Sequence, residues 1–345
     1  MVAKKQQNPV LTGFLWLLLI SPIHVVTAAP GGDGMPVAEL ESALASTDLT
    51  GLFGLIDTRA LAARAGLDSG VADALERLRH RLGKQQFNDH RLYTTADGWL
   101  VLRLDLAPRG LTWLEPTWQH PSPDPARPLV DWYDSALGIH LSELVAGMVE
   151  LAESRTGRRF LETLDESPRR AWSGLSRREQ RENPAAARLL LASCGGNPCY
   201  ELALEAMQQL PQLQPALWQL DLAALRNDRA GFADTLTRLE TLYGPDPGFA
   251  WLGGAEALRH GDCSTAMPRI NNAVGDWPDY KPLYPVLTQC LVVAGNYSMA
   301  LSFFGIMEER FGLQFDWPAM AQHPVYKGLV ESDTFAEWQA ERGAR

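Results

Sequence analysis

Four alanines place the strongest constraint on how this chain can fold. Ala203, Ala233, Ala266 and Ala300 recur at a nearly even interval, and Pro215, Pro245 and Pro278 each follow one of the first three by the same number of positions. Self-similarity at such an interval marks a chain built from pairs of helices laid side by side. No single pair can bury its apolar face alone, so neighbours must stack. A small residue at the contact lets them approach closely. From Asn183 onward the sequence is helical in pattern throughout.

The residues around these alanines resemble the tetratricopeptide-repeat family. Gly295, Tyr297, Ala300 and Phe304 follow the family's second-helix pattern of glycine, aromatic, small residue and aromatic; Gly261, Ala266 and Pro278 follow part of it, as do Tyr200, Ala203 and Pro215. The resemblance covers residues 183–312. It departs in a short first repeat, whose turn is filled by Cys194-Gly195-Gly196-Asn197-Pro198-Cys199, and in the lack of a glycine before Ala233. It implies an all-α solenoid of helical hairpins, closed by capping helices over 313–345, and a role in recognising a protein or peptide partner. It also puts Trp218 and Trp251 at corresponding places in the first helices of successive repeats. There the two indoles either line a concave groove, with Arg188 and Gln289 as polar contacts, or pack into the core.

Four cysteines allow three pairings, and an exported chain joins such a set as two disulfides. The repeat array selects one pairing. Cys194 ends one helix and Cys199 begins the next, while Cys263 and Cys290 stand level on adjacent antiparallel helices. The spacer between Cys194 and Cys199 is longer than that of thioredoxin-type redox sites, so the first pair reads as structural.

The front half has a different period. Helices are expected near 36–46, 51–65 and 69–84, the third with Val71, Leu75, Leu78 and Leu82 on one face and Ser69 at its cap. From Arg91 to Leu106 the alternation of Leu100, Leu102, Leu104 and Leu106 with polar or mixed neighbours predicts a half-buried strand. Leu111 to Gln119, with Pro116 suited to an edge or bulge, and Leu129 to Tyr133 complete a three-stranded antiparallel sheet around a proline-rich loop at 120–128. Helices follow at Ser142 to Glu153 and Arg158 to Leu164. Residues 35–165 therefore form an α+β domain, separated from the repeats by a charged linker or helix at 166–182.

Residues 1–28 read as a secretory signal, with Lys4 and Lys5 ahead of an apolar run from Leu11 to Ile20 and small residues at Val26-Thr27-Ala28; a flexible linker at 29–34 follows. Ser21, Pro22 and His24 interrupt the run before it is long enough to span a bilayer, so no stable membrane anchor is expected after cleavage. Loss of Lys4 and Lys5 takes the formal charge from 31 − 41 = −10 to 29 − 41 = −12. An acidic chain of this kind argues against a nucleic-acid partner. Its densest basic stretch, Arg155 to Arg181, is interleaved with acids and reads as a solvated mixed-charge surface.

No metal-ligand, nucleophile, Walker or dinucleotide motif is present, so no cofactor or metal is expected. The scattered histidines include His80 and His90, expected at a helix end. The densest polar cluster is Asp131, Asp134 and His140, which could support hydrolysis only if a turn folded all three into one concave pocket. On a strand the two carboxylates face opposite ways, and the structural alternative makes Asp134 or Ser135 a helix cap. The sequence thus predicts an exported scaffold that binds a protein or peptide through a repeat groove. The alternative is a hydrolase centred on Asp131, Asp134 and His140.

Overall fold

The computed structural model describes residues 35–45, 48–67, 75–76, 87–95, 100–106, 110–118, 129–135, 138–164, 166–194, 199–210 and 217–343. The signal segment, the 29–34 linker, the loop at 120–128, Pro215, His80 and nearly all of the helix expected at 69–84 lie outside the described residues. The described chain is mostly helical, with eighteen helices and one five-stranded antiparallel sheet. It divides into two compact units, residues 1–244 and 245–345.

The first unit begins with α1 (Met35–Ala43), α2 (Thr50–Gly54) and α3 (Thr58–Arg64). The apolar pattern predicts one helix over 51–65, but Ile56 interrupts it by bridging Leu129, with Asp57 N–H donating to the Leu129 carbonyl at 2.8 Å. Asp57 then caps α3 by accepting from the Arg59 and Ala60 amides. A capping residue in mid-pattern offers the backbone an exit from the helix, and tertiary pairing takes it.

The sheet runs in sequence order: β1 (Phe87–Thr94), β2 (Leu100–Leu106), β3 (Gly110–Trp118), β4 (Leu129–Asp134) and β5 (Ile139–His140). The strand expected from Arg91 to Leu106 is in fact a hairpin, with Thr94 opposite Leu100. Residues 96–99 between its arms lie outside the described residues; the Asp97-Gly98 dipeptide in their sequence is a turn signal that the leucine alternation overshadows. β2 is buried on both faces, since Val101, Leu102, Arg103 and Leu104 are all at most 2% exposed. Arg103 is tolerated there because it pairs with Asp89 on β1. Pro116 sits where β3 runs beyond its pairing with β2 and bonds only with β4, a local edge that suits a residue with no N–H. His90 lies exposed on β1 and not at a helix end.

After the sheet the chain forms α4 (Leu141–Glu153), α5 (Arg155–Thr163), α6 (Pro168–Gly174), α7 (Arg177–Glu182), α8 (Pro184–Ser193), α9 (Cys199–Gln208), α10 (Leu217–Leu225) and α11 (Arg229–Tyr243). Residues 166–182, expected as a charged linker or helix, are thus largely two short helices. Glu179 binds this region together, accepting from the hydroxyls of Ser154 and Thr156 and from Ser176 N–H. Burial alone would raise its pKa, but these donors outweigh that and hold it at about 2. α4 and α8 meet at Gly147, where a Cβ would lie 2.9 Å from Asn183 Oδ1 and 3.0 Å from the Ala185 methyl. Ala185, Ala186 and Ala187 are fully buried, the small-residue contact that close helix packing needs. The unit ends after α11 because its last helices are tied to the sheet. Leu217 N–H donates to the Ser135 carbonyl at 2.8 Å, Tyr243 stacks with Trp113, and its hydroxyl donates to Glu115 at 2.9 Å.

The second unit holds α12 (Pro247–Arg259), α13 (Cys263–Asp276), α14 (Leu283–Val293), α15 (Tyr297–Phe311), α16 (Trp317–Ala321), α17 (Lys327–Val330) and α18 (Asp333–Gly343). Consecutive helices from α12 to α15 pack on one another, and α12 also meets α14. A Cβ on Gly254 of α12 would run into the Ile270 side chain of α13. Both cysteine pairs are at disulfide distance, Cys194 with Cys199 and Cys263 with Cys290, each with Cα atoms 5.3 Å apart. Such pairs fit an oxidising compartment. Among the described residues no helix is long and apolar enough to cross a membrane.

A repeat is visible in the turns. Asn227, Gly261 and Gly295 all have positive φ; Asp228, Asp262 and Asn296 follow as helix caps, each accepting from the amide three positions on. The cap amides donate to the carbonyls of Ala223, Ala257 and Leu291. Every element of this turn recurs at one constant interval, the step from Asp228 to Asp262 equalling that from Asp262 to Asn296. Ala203, Ala266 and Ala300 are buried, but Ala233 is exposed, and Phe232 is the residue that this frame aligns with Ala266 and places in the core. Ala233 therefore does not hold the position that Ala266 and Ala300 share. The missing glycine is replaced by Asn227, whose short polar side chain tolerates the left-handed conformation.

Candidate functional site

β4 carries the densest set of buried polar groups. Asp131 accepts from Ser142 Oγ at 2.9 Å and pairs with Arg64 Nε of α3 at 2.9 Å; its other oxygen accepts from the Trp132 and Ser142 amides. Burial pushes its carboxyl up to about 7, opposed by Arg64 and the Ser142 bonds. Asp134 accepts from Thr112 Oγ1 at 2.6 Å, and Ser135 Oγ accepts from Trp113 N–H. Neither caps a helix, since α4 starts after His140. His140 lies opposite Tyr133, with ring centroids 5.4 Å apart. Strand alternation puts Asp131 and His140 on one face of the sheet and Asp134 on the other. The three groups do not converge on one point, and both aspartates are 0% exposed. The arrangement holds strands and helices together and presents no carboxylate pair to a substrate.

The residues expected to bind a partner separate into two sets. Arg188 is fully buried in α8, where it touches Met207 Sδ at 3.6 Å. Burial lowers its guanidinium pKa to about 9, against the pull of Asp134 and Tyr133, so it stays charged at neutral pH. Trp218 is 2% exposed and also belongs to the core. A side chain without accessible surface cannot touch a partner, and neither residue can line a groove. The frame set by the turns gives the reason: Trp218 is equivalent to Leu252, and Trp251 to Leu217, so the two indoles never occupy one position. Trp251 and Gln289, both in the second unit, are half-buried and remain accessible.

Sequence reasoning misses a cleft of about 640 Å³ in the second unit. Trp317 and Trp338 line it with Glu308, Arg342, Gln314 and Gln339. The indoles meet edge to face at 5.5 Å and rest on Phe304, Phe315 and Phe335. Arg342 pairs with Glu308 at 2.6 Å and lies over the Trp338 ring, 4.5 Å from its centroid. The two charges cancel each other, which leaves half-buried indole faces flanked by amides. Such a surface can take an apolar or aromatic group, and the glutamine amides add hydrogen-bonding groups to its lining. The sequence signal is the aromatic density of residues 311–338, which an assignment to capping helices obscures. Comparison with protein families, curated proteins and solved structures returns no match for this chain.

Proposed function

We propose that this is an exported recognition protein whose C-terminal helical hairpins, of tetratricopeptide-like construction, hold a protein or peptide partner at the Trp317–Trp338 cleft. The observation that carries the reading is the turn that occurs three times at a constant interval, one that equals the repeat length of that family. Families built this way commonly serve recognition, and indoles with neighbouring amides are the chemistry that anchors a peptide side chain. The disulfide-distance pairs support an oxidising compartment outside the cytosol. Trp251 and Gln289 extend the accessible surface of the same unit.

Crosslinking the mature chain in its native envelope, followed by affinity recovery, tests the reading. A stoichiometric protein partner should be recovered with the wild type and reduced at least about ten-fold with the Trp317→Ala/Trp338→Ala double variant, as expected for loss of anchor residues. Equal recovery with both chains, or no partner at all, overturns it.

A further inference from the structure

Positive charge in this acidic protein is concentrated on α5 to α7. Residues 155–182 contain eight arginines, no lysine and five acids, so the segment is 8 − 5 = +3 while the rest of the chain is −13. Two of the arginines are engaged locally: Arg158 donates to the carbonyls of Ala152 and Glu153, and Arg178 pairs with Glu150 and Glu182. Of the acids, Glu179 is consumed by the hydroxyl network and Glu182 by Arg178. Arg155, Arg159, Arg169, Arg170, Arg177 and Arg181 are exposed and have no ion-pair partner among the described residues.

Two of these six line one cleft. Between α5 and α6 lies a space of about 400 Å³ bordered by Arg159 and Arg170, with buried Phe160 and Ala171 beneath. Of its four hydroxyls, three already donate elsewhere: Thr156 to Glu179, Thr163 to the Arg159 carbonyl and Ser173 to the Arg170 carbonyl. Only the Ser167 hydroxyl is uncommitted. Glu166 also lines the cleft and offsets one guanidinium, leaving a net charge of +1. With Glu166 counted, one guanidinium charge in the cleft stays uncompensated and favours a small anion there. The guanidinium fork matches the oxygens of a phosphate, and a net +1 site balances a singly charged phosphodiester.

We propose that the α5–α6 cleft is a binding site for a phosphate-type oxyanion, held by Arg159 and Arg170 with Ser167 as a neutral donor. The ligand is a soluble phosphate ester or the headgroup of an anionic phospholipid. The site stands on the first unit and is independent of the C-terminal cleft.

The full mature chain is titrated with inorganic phosphate and a soluble phosphodiester by calorimetry, and floated with vesicles of phosphatidylglycerol or phosphatidylcholine. Saturable binding to at least one phosphate-bearing anionic probe is expected, weakened by salt. Arg159→Ala/Arg170→Ala should reduce it at least about ten-fold, consistent with loss of charge-assisted bonds. Arg177→Ala/Arg181→Ala, an equal charge change at a separate cleft that these two arginines line with Trp172, Gln180 and Glu205, should leave it within about two-fold, since a specific site and not the local field carries the affinity. Binding to soluble probes identifies a phosphate ester; binding only to phosphatidylglycerol vesicles identifies the headgroup. No binding to any probe, or equal losses in the two double variants, overturns the proposal. Unchanged melting temperatures of the exposed-residue variants verify the fold.

Discussion

Asp221 shows what burial does to a single side chain here. It is 2% exposed in α10, it accepts the Tyr200 hydroxyl at 2.7 Å, and burial raises its carboxyl to about 8 in spite of that bond. An unfolded aspartate titrates near about 4, so both states hold the proton below that pH. As pH rises from about 4 the unfolded chain releases its proton while the folded chain keeps it, and stability falls until the folded carboxyl ionises at about 8. Asp221→Asn keeps an acceptor for Tyr200 and removes this dependence. Denaturant melts should show the variant gaining on wild type between about pH 4 and pH 8, by on the order of a few kcal/mol; a constant difference would refute the buried-acid account. Asn227 offers a conformational counterpart, with φ at 57°. Asn227→Gly should be neutral or slightly stabilising, and Asn227→Val should cost about 1–2 kcal/mol in the same melts, because a β-branched side chain clashes with its own backbone there.

Among the elements, the three recurrent turns supply the regularity. In each, a positive-φ residue ends one helix and an Asp or Asn opens the next. Asp262→Ala removes both the acceptor for Thr265 N–H and the partner of the Ser264 and Thr265 hydroxyls, and should lower stability by about 1–2 kcal/mol in a chemical melt. If the cap contributes nothing, that variant will melt with the wild type. The helical half is legible because its signals are local: caps, left-handed residues and buried faces follow from short stretches of sequence. The front half is less so. The β1–β2 hairpin reads as one strand because the leucine alternation of β2 hides the reversal and the mostly polar β1 carries no apolar alternation of its own, and the α2–α3 break arises from a bridge to Leu129, which lies beyond three intervening strands of the sheet.

For the whole molecule, each unit holds its own pair of cysteines at disulfide distance, Cys194 with Cys199 in the first and Cys263 with Cys290 in the second. The second pair closes a sequence separation of 27 and should stabilise its unit by about 3 kcal/mol, chiefly by restricting the unfolded chain. Cys263→Ser/Cys290→Ser should therefore lower the thermal midpoint, and a reducing agent should reproduce the loss in the wild type. An unchanged midpoint in both experiments would show that the bond is dispensable. The division between units falls after Gly244, later than the repeat pattern suggests, because Tyr243, Trp113 and Glu115 fasten α11 to the sheet.

The amino-acid sequence alone suffices for the helices around 142–153 and 158–164, for the choice of cysteines that come to disulfide distance and for the two strands β3 and β4, since each depends on periodicity, capping or short-range geometry. Which tryptophans reach solvent is another matter. Trp218 and Trp251 carry the same side chain one register step apart, and a rotation of about 100° on a helix separates core from surface. Only the packing of neighbouring elements decides which face is covered. That is why Arg188 and Trp218 disappear into the core while Trp317, Trp338 and the arginines of the α5–α6 cleft stay within reach of a ligand.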